Sequence, residues 1–265
     1  MEYIKSVFLG IVEGITEWLP VSSTGHLILF NEFLDNANSF LASDLYIYVI
    51  QLGAILAVVT HFLHKLNPFS PKKTETEKKD TWSMWFKVII ACIPAAVFGL
   101  MLNDFMDKFE NWQVVSTTLI IYGIAFILIE KMNKTTTVTT MNDMSYKTAI
   151  LIGMFQVLSI IPGTSRSGST ILGGMILGTS RELAAEFSFF LAIPVMFGVS
   201  LLKIVTFDGV IDWGLLAVGM IVSYLVSMLA IKFLMNYVRK HSFSAFGWYR
   251  IVLAVVVIMY FSFIG

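Results

Sequence analysis

The sequence predicts an all-α integral membrane protein, with six transmembrane helices plus two re-entrant helical hairpins in an inverted-topology repeat. Three observations carry that prediction. Hydrophobic residues make up 57% of the chain and charged residues 14%, against about 45–50% and 25% in soluble domains. Six stretches are apolar enough, over close to the ~20 residues that span a bilayer, to be crossing helices. Two further apolar regions, 3–34 and 146–180, break in the middle, and each half is too short to cross alone. The formal net charge is zero, which argues against a nucleic-acid partner. The single cysteine, Cys92, excludes an internal disulfide and a cysteine metal site.

Taken in order, the chain opens with the first broken region, 3–34, interrupted by Pro20-Val-Ser-Ser-Thr-Gly25. Residues 1–20 do not read as a cleavable signal, because Glu2, Glu13 and Glu17 lie in them and no small-residue cleavage site follows. Spans are expected at 45–63, at 88–102 (extended upstream through Trp85) and at 114–130. The hydrophilic segment 65–83 reads as a flexible loop, and the Thr-rich segment 132–145 as a linker. The second broken region, 146–180, is interrupted by Pro162-Gly-Thr-Ser-Arg-Ser-Gly168. Spans at 183–204, 213–235 and 246–264 complete the chain. Non-helical backbone at membrane depth is tolerated only inside protein or around a wet cavity, so both broken regions are read as re-entrant.

Lys65, Lys72, Lys73, Lys78 and Lys79 follow the first span, Lys131, Lys134 and Lys147 the third, and Arg239 and Lys240 the fifth. The positive-inside rule makes these loops cytoplasmic and places both termini outside. The whole chain, 1–265, then forms one membrane domain of two halves, 1–132 and 146–265. Gly10 and Gly153, Glu13 and Gln156, Ser22 and Ser165, and Gly25 and Gly168 match at one constant offset, while Pro20 and Pro162 fall one residue out of it. Three spans per half force opposite orientations, the plan in which sites form where broken helices meet near the midplane.

The breaks also hold the chemistry. Glu13 and Glu17 are four residues apart and share a helix face. Their repulsion in low dielectric is relieved by a divalent cation, Mg²⁺ or Ca²⁺, which hard oxygens and substrate phosphates suit; a wet vestibule or a protonated carboxyl would relieve it too. Ser22, Ser23 and Thr24 offer hydroxyls where a helix restarts, a place that binds phosphate or simply caps the helix. His26 is a general base, a nucleophile, a ligand or a structural hydrogen-bonder. In the second break, Arg166 is a costly intramembrane cation. Its guanidinium matches phosphate oxygens, or pairs with Glu13, Glu17 or Glu186. Ser165, Ser167, Ser169 and Thr170 surround it with hydroxyls. Lys203, Lys232 and Arg250 lie near helix ends and are expected to snorkel.

Two runs, Glu13-Gly-Ile-Thr-Glu17-Trp-Leu-Pro-Val-Ser-Ser-Thr-Gly-His26-Leu and Pro162-Gly-Thr-Ser-Arg166-Ser-Gly-Ser-Thr170, closely resemble the motifs of the undecaprenyl-diphosphate phosphatases, the bacitracin-resistance type of bacterial inner membranes. Gln51-Leu-Gly-Ala and Ala185-Glu-Phe-Ser-Phe extend the resemblance over most of the chain; Trp18 stands where that family often has phenylalanine. The resemblance implies hydrolysis of the C55 polyprenyl diphosphate to its monophosphate, at a site facing the outer leaflet, with a divalent cation. Glu17, Ser23, His26 and Arg166 are then the expected catalytic residues. Ser22, Thr24, Ser165, Ser167, Ser169 and Thr170 are expected to bind substrate, and Glu13 and Glu17 the metal. Ser23, His26 or an activated water could attack phosphorus. The expected partners are the lipid substrate and membrane lipids, and a homodimer is compatible with the sequence. The competing class is a secondary transporter or flippase, which broken helices and an inverted repeat fit equally well.

Overall fold

The computed structural model describes residues 1–34, 39–109, 111–132 and 135–263. Its helices are α1 (Glu2–Thr16), α2 (Ser23–Phe33), α3 (Asp44–His61), α4 (Leu63–Leu66), α5 (Glu75–Met106), α6 (Trp112–Lys131), α7 (Tyr146–Val157), α8 (Arg166–Ile176), α9 (Arg181–Thr206), α10 (Trp213–Val238) and α11 (Ser244–Phe263). Among the described residues there is no strand; an isolated bridge joins Val138 to Thr179. The all-α class is as the sequence predicts, and α3, α5, α6, α9, α10 and α11 are long and apolar enough to cross a membrane. Their outer faces carry exposed Leu100, Leu229 and Val252, which lipid accepts and water would not.

Local sequence sets where these helices begin. Ser43, Asn111, Ser145, Ser180 and Asp212 each precede a helix, and each side chain accepts the backbone N–H three residues on, a standard N-cap. The expected loop over 65–83 is only partly a loop, because α5 already starts at Glu75. The reason is a capping box: the Thr74 N–H donates to Glu77 Oε2 (2.7 Å) and the Glu77 N–H to Thr74 Oγ1 (3.3 Å). The linker is pinned as well, since the N–H groups of Thr137 and Val138 both donate to the Gly178 carbonyl.

The halves are interleaved. From the first half, α1 packs on α10 of the second; from the second, α7 packs on α5 of the first. Glycines allow both approaches. A methyl group at Gly10 would stand 2.8 Å from the Gly219 carbonyl oxygen, and one at Gly153 would overlap the Ala91 carbonyl. These are one of the residue pairs matched by the constant offset. A second pair behaves in the same way. Ser22 and Ser165 both have φ of 72°, a backbone region costly for a side chain. Each accepts a hydrogen bond from a glycine N–H three residues on, Gly25 at 3.2 Å and Gly168 at 3.1 Å.

Arg250 does not snorkel. Its side chain is fully buried, seven residues into α11. Nη1 donates to the Pro20 carbonyl (3.1 Å) in the first break, and Nη2 to the carbonyls of Gly163 (3.0 Å) and Thr164 (2.9 Å) in the second. The guanidinium also lies 5.3 Å from the centre of the Tyr122 ring, a favourable placement for a cation. One side chain thus fastens the two broken turns together.

Arg250→Leu strips three buried carbonyls of their donor and should cost about 2–5 kcal/mol of stability. Arg250→Lys, which keeps a charge but loses the fork, should fall between that variant and the wild type. Thermal unfolding in detergent checks this; equal midpoints for all three proteins would show that the clasp does not hold the turns.

Candidate functional site

The two turns meet at a cavity of about 310 Å³. Glu17 and Ser23 line it from the first break, Ser165 and Arg166 from the second, and Gln51 and Gln156 from α3 and α7. Apolar lining comes from Ala95 and Gly99 on α5 and from Val195, Met196 and Val199 on α9. These residues follow Pro94 and Pro194, which lie inside their helices. Each proline removes one helical hydrogen bond, and the cavity opens beside the turn that follows it.

The centre of the site is an ion pair. Arg166 Nη2 donates to Glu17 Oε1 at 2.9 Å, with both side chains largely buried. Arg166 Nη1 donates to the Ser188 carbonyl at 2.8 Å. The Trp18 ring, wholly buried and edge-on to Phe189, lies 5.9 Å from the guanidinium carbon. Ser23 Oγ donates to the other Glu17 oxygen, Oε2, at 3.1 Å. A hydroxyl, a carboxylate that can take its proton and a guanidinium therefore stand in a row across the two breaks. Such a set has the groups from which acyl or phosphoryl transfer can draw a nucleophile, a base and a charge stabiliser.

Other expected site residues turn inward. The Ser167 hydroxyl donates to the Glu17 carbonyl (3.0 Å), Ser169 donates to the Tyr122 hydroxyl (3.2 Å), and Thr170 donates to Ser188 Oγ (2.7 Å). Ser22 caps the turn to Gly25. Since each hydroxyl already has an internal partner, these four serve the turns rather than the cavity wall. The Thr24 side chain lies outside the described residues. His26 is not a lining residue either. Its Nδ1 donates to the Ser22 carbonyl (2.7 Å), and Nε2 meets the Tyr249 hydroxyl (2.7 Å), with the two rings stacked. Both nitrogens are therefore engaged in holding the first break against α11.

Glu13 is fully buried, and neither carboxylate oxygen has a hydrogen-bond partner among the described residues. It lies close enough to Glu17 and Arg166 to interact with both. A buried carboxylate with no donor calls for a proton or a cation. No group of three His, Cys, Asp or Glu side chains converges among the described residues. A cation here would thus have two carboxylates from the protein and would take its remaining oxygens from elsewhere. Mg²⁺ bound together with substrate phosphates fits that donor set.

Sequence reasoning missed Arg250 and Gln156 as parts of this region. Gln156 was readable as the partner of Glu13 at the constant offset, whereas nothing local to Arg250 points to turns that lie 86 to 230 residues away.

A family model described as bacitracin resistance protein BacA matches residues 6–256. The chain is similar to undecaprenyl-diphosphatase of Lactiplantibacillus plantarum, at 55% identity over all of this chain and 99% of that protein. It is 55% identical to undecaprenyl-diphosphatase of Enterococcus faecalis, over 98% of this chain and 97% of that one. It is 57% identical to undecaprenyl-diphosphatase of Streptococcus thermophilus, over 98% and 93% respectively. With the match running from α1 into α11 and taking in both breaks, the chain belongs to the bacitracin resistance protein BacA family.

Proposed function

We propose that this multi-pass membrane protein hydrolyses undecaprenyl diphosphate to undecaprenyl phosphate and inorganic phosphate, which recycles the lipid carrier of peptidoglycan synthesis and confers bacitracin resistance. Names of relatives sharing more than half its sequence support the reaction. The observation that carries the site assignment is the hydrogen bond from Ser23 Oγ to Glu17 Oε2, with Arg166 on the other Glu17 oxygen.

In the resting protein Arg166 and Glu17 neutralise each other. The incoming diphosphate offers Arg166 a second anionic partner, with better fork geometry and more charge. As Arg166 turns to the terminal phosphoryl group, Glu17 is released to accept the Ser23 proton. Ser23 Oγ forms a bond to the terminal phosphorus while the bridging P–O bond breaks, and undecaprenyl phosphate leaves. Glu17 passes the Ser23 proton to a phosphoryl oxygen of the departing lipid phosphate. Water then attacks the phosphoserine and gives a proton to Glu17, which returns it to Ser23 Oγ as the Oγ–P bond breaks and inorganic phosphate departs. Positioning and charge neutralisation dominate such transfers. Ser165 lines the wall, where its hydroxyl, set on Ser167 Oγ at 3.2 Å in the resting protein, would turn to a phosphoryl oxygen. The inward hydroxyls of Ser22, Ser167, Ser169 and Thr170 hold the two turns in shape, and Thr24 is proposed to bind substrate with them. His26 fixes the Ser22–Ser23 turn through its contact with the Ser22 carbonyl. Glu13 and Glu17 would hold a divalent cation, Mg²⁺ or Ca²⁺, which when bound supplies the positive charge that the diphosphate brings into deficit.

The two broken regions are proposed to be re-entrant and to form an inverted repeat, with the site opening toward the outer face of the bacterial cytoplasmic membrane. The matched geometry at Ser22 and Ser165 supports the repeat. A homodimer would leave this site intact, since a single chain supplies every residue named.

Purified Arg166→Ala should insert and fold yet release phosphate about 10²- to 10³-fold more slowly; near-normal release would sink the assignment. Glu17→Gln should slow turnover about 10²- to 10⁴-fold and move the midpoint of a Mg²⁺ titration. An unmoved midpoint would remove Glu17 from the metal site. For orientation, a cysteine at Lys72 in a Cys92→Ser background should react with an impermeant maleimide only after the membrane is broken open; labelling of intact cells would invert the topology.

A further inference from the structure

Gln156 is buried to 1% exposure and lines the cavity beside Arg166. Neither its amide nitrogen nor its amide oxygen has a hydrogen-bond partner among the described residues. Leaving a buried amide unpaired is costly in any protein. The usual local explanation, capping of a helix end, does not apply. Gln156 occupies the last turn of α7, yet its amide donates to no carbonyl there; its own carbonyl accepts the Ser159 hydroxyl (2.7 Å) and the Leu158 N–H.

The packing of α7 on α5 sets where that side chain begins. Gly153 presses against the Ala91 backbone of α5. Gln156, three residues on, continues the same helix face, and Ala95, one turn further along α5, lines the cavity with it. That backbone contact, which only a glycine permits, brings α7 against α5 and sets Gln156 in the cavity wall.

We infer that Gln156 is a substrate-binding residue, whose amide N–H groups donate to phosphoryl oxygens of the diphosphate. An amide has two N–H donors, and a diphosphate headgroup is nearly all acceptor. Gln156 is the counterpart, at the constant offset, of Glu13, which is also buried and unpartnered. A carboxylate suits the cation side of the site. On the anion side a carboxylate would repel the headgroup, and the amide keeps the shape while exchanging charge for donors. The inference rests on the phosphatase reading given above.

The test uses the full-length protein in detergent with undecaprenyl diphosphate as substrate and inorganic phosphate as product inhibitor. Gln156→Leu should raise KM about 10- to 100-fold, the usual worth of a hydrogen bond to a charged acceptor. It should leave kcat within about threefold and raise the inhibition constant for inorganic phosphate in parallel. Its thermal midpoint should equal or exceed that of the wild type, because an unpaired buried amide has been replaced by an apolar side chain. Gln156→Glu, of unchanged shape, should raise KM at least as much. An unchanged KM in Gln156→Leu would overturn the inference, as would a lowered midpoint in both variants with KM unchanged in Gln156→Glu. A shift in KM without one in the phosphate inhibition constant would also overturn it, by placing the contact on the isoprenoid end. Wild-type protein that releases no phosphate would overturn the phosphatase reading instead.

Discussion

Backbone carbonyls that meet no water must be given donors by the protein, and at the two broken turns much of that duty falls to one side chain. Pro20, Gly163 and Thr164 belong to segments far apart in sequence, and Arg250 bonds all three. Without it the breaks would expose polar backbone inside an apolar medium, where each unsatisfied group costs several kcal/mol. With it, the turns are held at a fixed separation, and the residues they carry, Glu17 and Ser23 on one side and Ser165 and Arg166 on the other, face a common cavity. Guanidinium suits this duty better than ammonium, because its planar fork reaches several carbonyls at once and it is more weakly hydrated.

By charge accounting, a diphosphate bound in this region would need a further positive charge. Arg250 makes no salt bridge among the described residues, and Glu13 accepts no hydrogen bond. Glu17 and Arg166 pair at 2.9 Å. With both carboxylates ionised, two negative and two positive side chains balance. Adding a diphosphate leaves the region strongly negative, a state that low dielectric penalises steeply. Two carboxylates with no third His, Cys, Asp or Glu converging on them among the described residues would suit a cation that arrives with or alongside the proposed substrate.

Much of this was legible in the sequence. The proline-containing breaks, the six spans and the pairing of Ser22 with Ser165 are local features, and local rules read them. The end of the 65–83 loop was also local: the Thr74–Glu77 capping box lies in a run of lysines and glutamates whose charge suggested solvent rather than helix. What failed was direction. A serine has one rotatable hydroxyl, and sequence does not say whether it faces a cavity or a neighbouring carbonyl; Ser167, Ser169 and Thr170 all chose protein partners. His26 lies three residues from Ser23, yet its ring turns to Tyr249 on the last helix. Arg250 was misread because proximity to a helix end is the usual sign of snorkelling, and its actual partners are contacts that only the tertiary fold creates.

The matched pairs show how two similar turns come to carry unlike chemistry. Backbone needs are met identically, by the same positive φ at Ser22 and Ser165 and the same cap to a glycine three residues on. A changed turn would displace everything it carries. Side chains that point away from the backbone are under no such constraint, and there the halves differ: Glu17 and Ser23 in one, Arg166 in the other, Glu13 against Gln156. Both Glu13 and Gln156 remain unpartnered and buried, a cost that a purely structural position would have shed by becoming apolar. That both halves keep this cost at the same place, one with a carboxylate and one with an amide, is most simply explained if each group finds its partner only when the site is filled.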